Sequence, residues 1–514
     1  MQEEDQDSNL VRKTTYDYQT TTSDVLSVTL SPAPGESTCC SSSATWTYAY
    51  GGTFNRLSSA SEPLSHAPTT YAYDDSIPSM TVTDPLGRVT TITDNTQGQS
   101  ISIQDPAGNP PTTIHYNAAG DVTSTKDPAG NTTSYQPDAD GRVISVTSPQ
   151  NETTHYTYDA LDNLTDVIDP LGHHTNYTYD LVGETAGITP PNGFTSGILN
   201  PAWTTTITRS PDLAKVTVTD PLHNSTVTDL DGQGRRTDYT DKRGIETTYA
   251  YDLFGRVKQV VFNSTSKSGY QKEAVSISDF DPLDRPGSIA DSLSGTLSYA
   301  YDALDSILSE ADSATGDSTA YSYDSNGRRT SMQAVMNHNT VTVKYGYDCA
   351  DELIGMSNNG SAIPSCSPSN YVPNGSNTTQ AAFYYDLDGM PQWTQVDGIL
   401  TSFVRDADER IISESYSAPA VEYSYGNLTY GYDPDGNLTD KGGSLATINL
   451  PPSNTASYDM NDQLTLWNAA SAQTDAADNI TVDPASGLGF QWSVRNQVLE
   501  FNCCPPPLNI ADRG

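Results

Sequence analysis

Tyr430-Gly431-Tyr432-Asp433-Pro434-Asp435-Gly436-Asn437-Leu438-Thr439 is the stretch that decides the reading of this chain. Two tyrosines at i and i+2 share one face of an extended strand. Asp433-Pro434 opens a turn, because proline holds φ at about −65°. Gly436 closes it, because glycine accepts positive φ without a Cβ clash. Leu438 and Thr439 begin a return strand. Ten residues thus describe one corner of a β-hairpin.

The same phrase, Tyr-x-Tyr-Asp-x-x-(Gly/Asp), recurs outward in both directions. It appears at Tyr156–Asp162, Tyr177–Gly183 and Tyr249–Gly255, and its first four residues return at Tyr299, Tyr321 and Tyr345. A second turn phrase, Asp-Pro-x-Gly, alternates with it at Asp84, Asp105, Asp127 and Asp169. The turn-closing positions run Gly87, Gly98, Gly108, Gly120, Gly130, Gly141, Asn151, Asp162, Gly172 and Gly183, in steps of 10 to 12 residues. The register resumes through His223, Gly234, Gly244 and Gly255, then Asp284, Gly295, Asp305, Gly316 and Gly327. The unit is about 21 residues, two strands and two turns, and such self-similarity governs any fold reading.

Between turns lie five to seven residues rich in Thr, Val, Ile and Tyr that alternate in polarity, as in Lys215-Val216-Thr217-Val218-Thr219. Period-2 patterning with β-branched and aromatic residues predicts strands. Pro, Gly and Asp punctuate too often for helices. The expected fold is all-β, an extended antiparallel sheet of successive hairpins, with tyrosines of neighbouring hairpins aligned into cross-strand ladders.

The expected organisation is an N-terminal irregular or early-repeat segment over 1–69, repeats over 70–186, an irregular insertion over 187–215 and repeats over 216–356. A Ser/Asn/Pro/Gly-rich loop follows over 357–380. Repeats resume over 381–500 with a Gly/Pro-rich break at 441–455, and a tail covers 501–514. The first 45 residues show no clear register.

Composition narrows the function. The 514 residues carry 64 Asp+Glu against 25 Lys+Arg, a formal charge of −39, while charged residues total only 17%. The imbalance reflects missing cations rather than acidic blocks. Nucleic acid is excluded as a partner, since little is available to neutralise phosphates. An anionic membrane surface is disfavoured on the same ground. No apolar run reaches the ~18 residues that span a bilayer. Met1-Gln2-Glu3-Glu4-Asp5 lacks the basic and apolar regions of a signal peptide, so export is expected to depend on another component or on a longer reading frame.

Candidate chemical sites were weighed and none assigned: no catalytic, cofactor-binding or metal residue is singled out. Asp229-x-Asp231, Asp138-x-Asp140, Asp386-x-Asp388 and Asp433-x-Asp435 resemble fragments of calcium loops, but none has the full ligand set, and they read as turns. His173-His174 lacks a matching ligand pair. Cys39-Cys40 and Cys503-Cys504 are vicinal, Cys-x-x-Cys is missing, and a Cys349–Cys366 disulfide is open to formation in an oxidising compartment. Sequons such as Asn131, Asn163, Asn176 and Asn263 arise readily in a Thr-rich repeat. Nucleophile-elbow, zincin, Walker and dinucleotide motifs are missing.

The recurring phrase, with its following arginine at Tyr249–Arg256 and Tyr321–Arg328, resembles the YD repeat of Rhs (rearrangement hot spot) proteins over roughly residues 70–500. Relatives in that family include shell components of insecticidal toxin complexes and the animal teneurins. The resemblance implies a hairpin sheet spiralling into an open or partial hollow shell. It implies a structural, non-enzymatic role in a bacterial secreted or cell-surface protein that encapsulates or presents a toxin. A toxin domain or a neighbouring Rhs segment is the implied partner. The alternative is a carbohydrate-binding or adhesion module that recognises a cell-surface glycan through its tyrosines. Asp483-Pro484-Ala485-Ser486-Gly487-Leu488 only loosely matches the cleavage ending of toxin carriers, and 26 residues follow Leu488, so the chain reads as a repeat-only portion.

Overall fold

The computed structural model describes residues 2–4, 10–32, 44–64, 66–281, 283–358, 381–446, 455–461, 463–468 and 470–502. Their regular structure consists of strands and three short 3-10 turns, Pro191–Gly193, Pro201–Trp203 and Pro419–Val421. The all-β expectation is what the structure shows. Thirty-seven strands belong to one sheet, and pairing is antiparallel between chain neighbours, as where Thr153–Tyr158 pairs Leu164–Ile168, which pairs His174–Tyr179. Two further small sheets lie late in the chain, one over Ala456–Ser471 and one over Gln473–Asn502.

The two turn phrases build different corners. At a Tyr-x-Tyr-Asp corner the ladder slips by one residue, as between Thr157↔Asp166 and Tyr158↔Leu164. At an Asp-Pro-x-Gly corner it does not, as along Val167↔Thr175 and Ile168↔His174. The slip is a β-bulge, which adds a residue and local twist to one strand. Every turn-closing position in the repeat register has positive φ, including non-glycines such as Asn151 (66°), Asp162 (66°) and His223 (69°).

One corner departs from the rule in a costly way. Leu213 stands at the closing position with φ 58°. Its side chain is 61% exposed and gains little from burial. A left-handed conformation costs a residue with a Cβ ~1–2 kcal/mol, and glycine's extra chain entropy offsets part of that. Leu213→Gly is therefore expected to raise stability by about 0.5–1 kcal/mol. An unchanged or lower urea midpoint would contradict this account of the turn.

Two segments lie more fully in the sheet than their sequence indicates. Leu10–Tyr18, Val25–Pro32 and Ala44–Gly51 are paired strands within the first 69 residues. Their register is illegible because Ser23, at φ 64°, replaces the expected glycine. Within 187–215, Thr205–Arg209 pairs directly with Thr185–Thr189. The intervening residues, including the small Phe194–Thr195 and Ile198–Leu199 hairpin, are an excursion that leaves the ladder intact. Residues 359–380, 447–454 and 503–514, on which the loop, break and tail expectations partly rest, lie outside the described residues.

The chain forms two compact units. The first comprises Met1–Thr154, Ser278–Ile289 and Gly295–Thr447; the second comprises His155–Ile277, Ala290–Ser294 and Ile448–Gly514. Each brings together stretches far apart in sequence. Buried apolar side chains are small or few, among them Ile354, Ala381 and Ala382 in the first unit and Ile245 and Val494 in the second. A single-layer sheet buries little apolar surface, so polar ties carry much of the cohesion.

Candidate functional site

Each residue of the Tyr-x-Tyr-Asp-x-x-Gly-Arg phrase has a mechanical task. The aspartate folds its own turn. Asp324 Oδ1 accepts the backbone N–H groups of Asn326 (2.9 Å) and Arg328 (3.1 Å). Its second oxygen accepts from Arg328 Nε at 2.8 Å. Asp252 with Arg256, Asp281 with Arg285 and Asp406 with Arg410 repeat the arrangement. Asparagine substitutes for arginine at Asn163 and Asn437, bonding Asp159 and Asp433.

The second tyrosine locks one hairpin to the one before it. The ladder between Ile307–Asp312 and Ser318–Tyr323 ends at Ser309↔Ala320, which leaves the Ile307 carbonyl beyond it. Tyr323 Oη donates to that carbonyl at 2.7 Å. Tyr179 to Leu164, Tyr251 to Arg236, Tyr347 to Arg329 and Tyr432 to Ile411 are equivalent. Arginine completes the link forward. Arg285 donates to the Asp302 carbonyl and lies 4.6 Å from the Tyr301 ring centre in the next repeat. Arg328 does the same to Asp348 and Tyr347. The second tyrosine thus forms a clasp, meeting a backbone carbonyl and an arginine.

Tyr432→Phe keeps the ring beneath Arg410 and removes only the hydroxyl, leaving the Ile411 carbonyl without its donor. The expected loss is about 1 kcal/mol in denaturant unfolding. A change within error would mean that water replaces the clasp.

A longer-range arrangement appears in each unit, where turns meet turns from a distant stretch. In the first unit, turns beginning at Asp84, Asp127 and Ser148 face turns beginning at Asp348, Asp386 and Asp406, in the same order. Arg88 Nη1 and Nη2 grip the Asp351 carboxylate at 2.6 and 2.8 Å, and Nη1 also donates to the Cys349 carbonyl. The Ala129 N–H donates to Asp388 at 3.0 Å. Ser148 Oγ and the Gln150 N–H donate to the Asp408 carboxylate. Arg410 reaches Glu152 at 3.4 Å.

The second unit has its own seam. Asn461 donates to Asp220 at 2.9 Å, and Lys242 bridges Asp220 (2.8 Å) and Asp478 (2.7 Å). Arg243 donates to the carbonyls of Ser493 and Val494 at 3.1 and 3.2 Å. Arg495 pairs with buried Glu273 (2.6 Å) and with Asp291 (2.5 Å). The Glu273 contact is ionic rather than a directed hydrogen bond.

Among the described residues, the middle of the first-unit seam carries acids where its ends carry such cations. Glu352 occupies the position where Arg88, Arg256, Arg328 and Arg410 stand in other turns. It borders a cavity of about 530 Å³ lined also by Pro106, Ala129, Asp348, Cys349, Tyr385 and Asp386. Burial, then the hydrogen bond to Asp348 and the charges of Asp348, Asp386 and Asp105, push the Glu352 carboxyl up to about 8. Burial, then Glu352 and Asp348, push the Tyr385 phenol up to about 12. Burial and neighbouring carboxylates also raise Asp388 and Glu409. Asp127, Asp388 and Glu409 bring carboxylate oxygens within 4.8 Å of one another.

Residues weighed from sequence fall into structural places. Asp138, Asp386 and Asp433 accept the N–H two residues on, which makes their Asp-x-Asp phrases turns. Asp229 pairs with Lys215 at 2.6 Å. His173 pairs with Asp169 and His174 with Asp166, each at 2.8 Å. Asn263 is fully buried, bonding the carbonyls of Lys267 and Tyr270. Cys349 is disulfide-bonded, and Cys366 lies outside the described residues. Sequence reasoning passed over Glu352, although a glutamate at the repeat's arginine position was a readable signal.

A hairpin sheet with arginine-linked corners and turn-to-turn seams is a structural wall of the YD-repeat class. A family model, the teneurin YD-shell, matches residues 65–484, and the chain belongs to that family. A crystal structure of TcdB2-TccC3-Cdc42 shares the fold, with TM-score 0.54 and 12% identity over 96% of this chain and 29% of that one. The Photorhabdus luminescens Tc holotoxin pore is similar at TM-score 0.45 and 12% identity over 98% of this chain and 28% of that chain. The chain therefore spans under a third of the solved chains named here. No curated protein matches. No helix among the described residues is long and apolar enough to cross a membrane.

Proposed function

We propose that this chain is a wall segment of a bacterial secreted or cell-surface assembly that encloses or presents a polypeptide cargo, a toxin domain being the class the fold suits. The observation that carries the reading is the seam. Turn rows separated by 204 to 263 residues are tied side by side in each unit. A hairpin sheet used only as a flat binding face has no need of such ties, whereas a barrier does. The scarcity of cations in this chain keeps such a wall soluble and discourages non-specific nucleic-acid binding. The tyrosine hydroxyls engaged in clasps lend the glycan alternative no added support.

A small protease-labile reporter domain fused after Gly514 tests the reading. Proteinase K is expected to degrade the fused reporter at least tenfold more slowly than the reporter with its linker alone. Equal rates would sink the enclosure reading.

A further inference from the structure

The first-unit seam changes its chemistry along its length. At one end Arg88 holds Asp84 and Asp351; at the other Arg410 holds Asp406 and approaches Glu152. Between them the facing groups are acids. Asp105 and Asp127 come from one row; Asp348, Glu352, Asp386, Asp388 and Glu409 come from the other. Several turns, among them those of Arg88, Arg328 and Arg410, carry an arginine after the turn-closing position, and here Glu352 stands in its place. These seven carboxyls cannot all ionise without repulsion in a partly desolvated space.

We propose that the middle of this seam is a proton latch, closed while carboxyls crowded where the two turn rows meet hold protons and loosened when they ionise. It goes beyond enclosure by giving the wall a condition under which one seam parts.

The surrounding groups support a carboxyl-driven response. Cations near the cluster are Arg405 beside Glu409, Arg410 beside Glu152, and Arg88 and Arg328 on Asp351. All are committed elsewhere or oppose only one acid. Lys126, at the end of the strand before Asp127, is exposed. Tyr385 faces Glu352 and donates to the Leu353 carbonyl at 2.8 Å, so it stays neutral through the relevant range. Across this middle stretch the Ala129 N–H donates to Asp388; that bond favours the ionised carboxyl, but burial and the charges of Asp127 and Asp386 outweigh it and leave Asp388 raised.

The sign follows from linkage. Glu352 has an ordinary value of 4.5 and is raised to about 8 in the fold. Between those values the folded chain holds a proton that the unfolded chain does not, so stability falls as pH rises across the window. Below it the latch is closed, and above it the full repulsion is present. The second-unit seam runs on Lys242, Arg243 and Arg495; despite burial, Lys242 leaves the Asp220 carboxyl lowered rather than raised, and Arg495 lowers Asp291.

The test is limited digestion of the full chain with proteinase K in EDTA at pH 6 and pH 9, each rate normalised to an unstructured peptide. Cleavage in the 105–131 turns is expected to be at least tenfold faster at pH 9, with the 241–245 turn unchanged. Glu352→Gln with Glu409→Gln, which keeps size and hydrogen bonding, is expected to abolish the rise. Glu352→Arg, which restores the residue of the other turns, is expected to reduce it. Equal normalised rates in the unmodified chain overturn the latch, as does an undiminished rise in the glutamine pair. Neither outcome touches the enclosure reading, which the fused reporter tests separately.

Discussion

Arg243→Ala is expected to release the Gly489–Trp492 and Val498–Asn502 hairpin from the second unit. The Arg243 side chain is 4% exposed and pairs with Asp241 at 2.8 Å. It also holds the Ser493 and Val494 carbonyls and lies 5.3 Å from the Tyr270 ring centre. Truncation leaves a largely buried Asp241 without its guanidinium and two carbonyls without donors. Removing one partner of a buried pair costs about 3–5 kcal/mol, and here the loss falls on the docking of one hairpin. Trp492, whose indole donates to the Ile480 carbonyl, reports the change. Its fluorescence is expected to lose denaturant resistance well before the remaining sheet melts. Arg243→Lys is expected to rescue only part, because an ammonium cannot reproduce the two-pronged reach to both carbonyls. An Arg243→Ala midpoint within error of the unmodified chain would show that this seam holds nothing.

Arg88→Ala is the first-unit counterpart, with an expected cost of about 2–4 kcal/mol. The figure is lower because Asp351 is half exposed, and water replaces part of what the guanidinium supplies. The penalty has a pH dependence of known sign. Burial would raise the Asp84 carboxyl, but the Arg88 N–H, the Asn326 amide and the Arg88 guanidinium outweigh it, leaving it below its usual value of 3.8. A depressed carboxyl contributes stability above its unfolded value and loses it as pH falls through the folded one. The gap between Arg88→Ala and the unmodified chain is therefore expected to narrow below about pH 4 in denaturant titrations. A gap that widens with acid would contradict the ion-pair account of this corner.

These two arginines show where sequence reading ended. Arg88 closes an Asp-x-x-Gly-Arg phrase like those ending at Arg256 and Arg328, and its partner Asp84, four residues back, lies within reach of a sequence window. Its partner Asp351, 263 residues away, does not. Leu213 and Ser23 show a second limit. Both occupy left-handed corners, yet their identities gave no turn signal, because tertiary pairing forced a conformation their side chains do not favour. Thr205–Arg209 shows a third. An excursion of intervening residues erased the spacing but not the pairing with Thr185–Thr189.

Local chemistry decided the hairpin. Aspartate, proline and glycine at fixed offsets bend the backbone whatever surrounds them, and alternating β-branched and aromatic residues extend it, so strand, corner and repeat length are written in the sequence wherever the repeat keeps its register. Which corner meets which depends on how strand twist and bulges accumulate over many repeats, a sum that no single window contains. The buried guanidiniums of Arg88 and Arg243 and the acid-lined cavity beside Glu352 exist only because that accumulated geometry brings distant turns into contact.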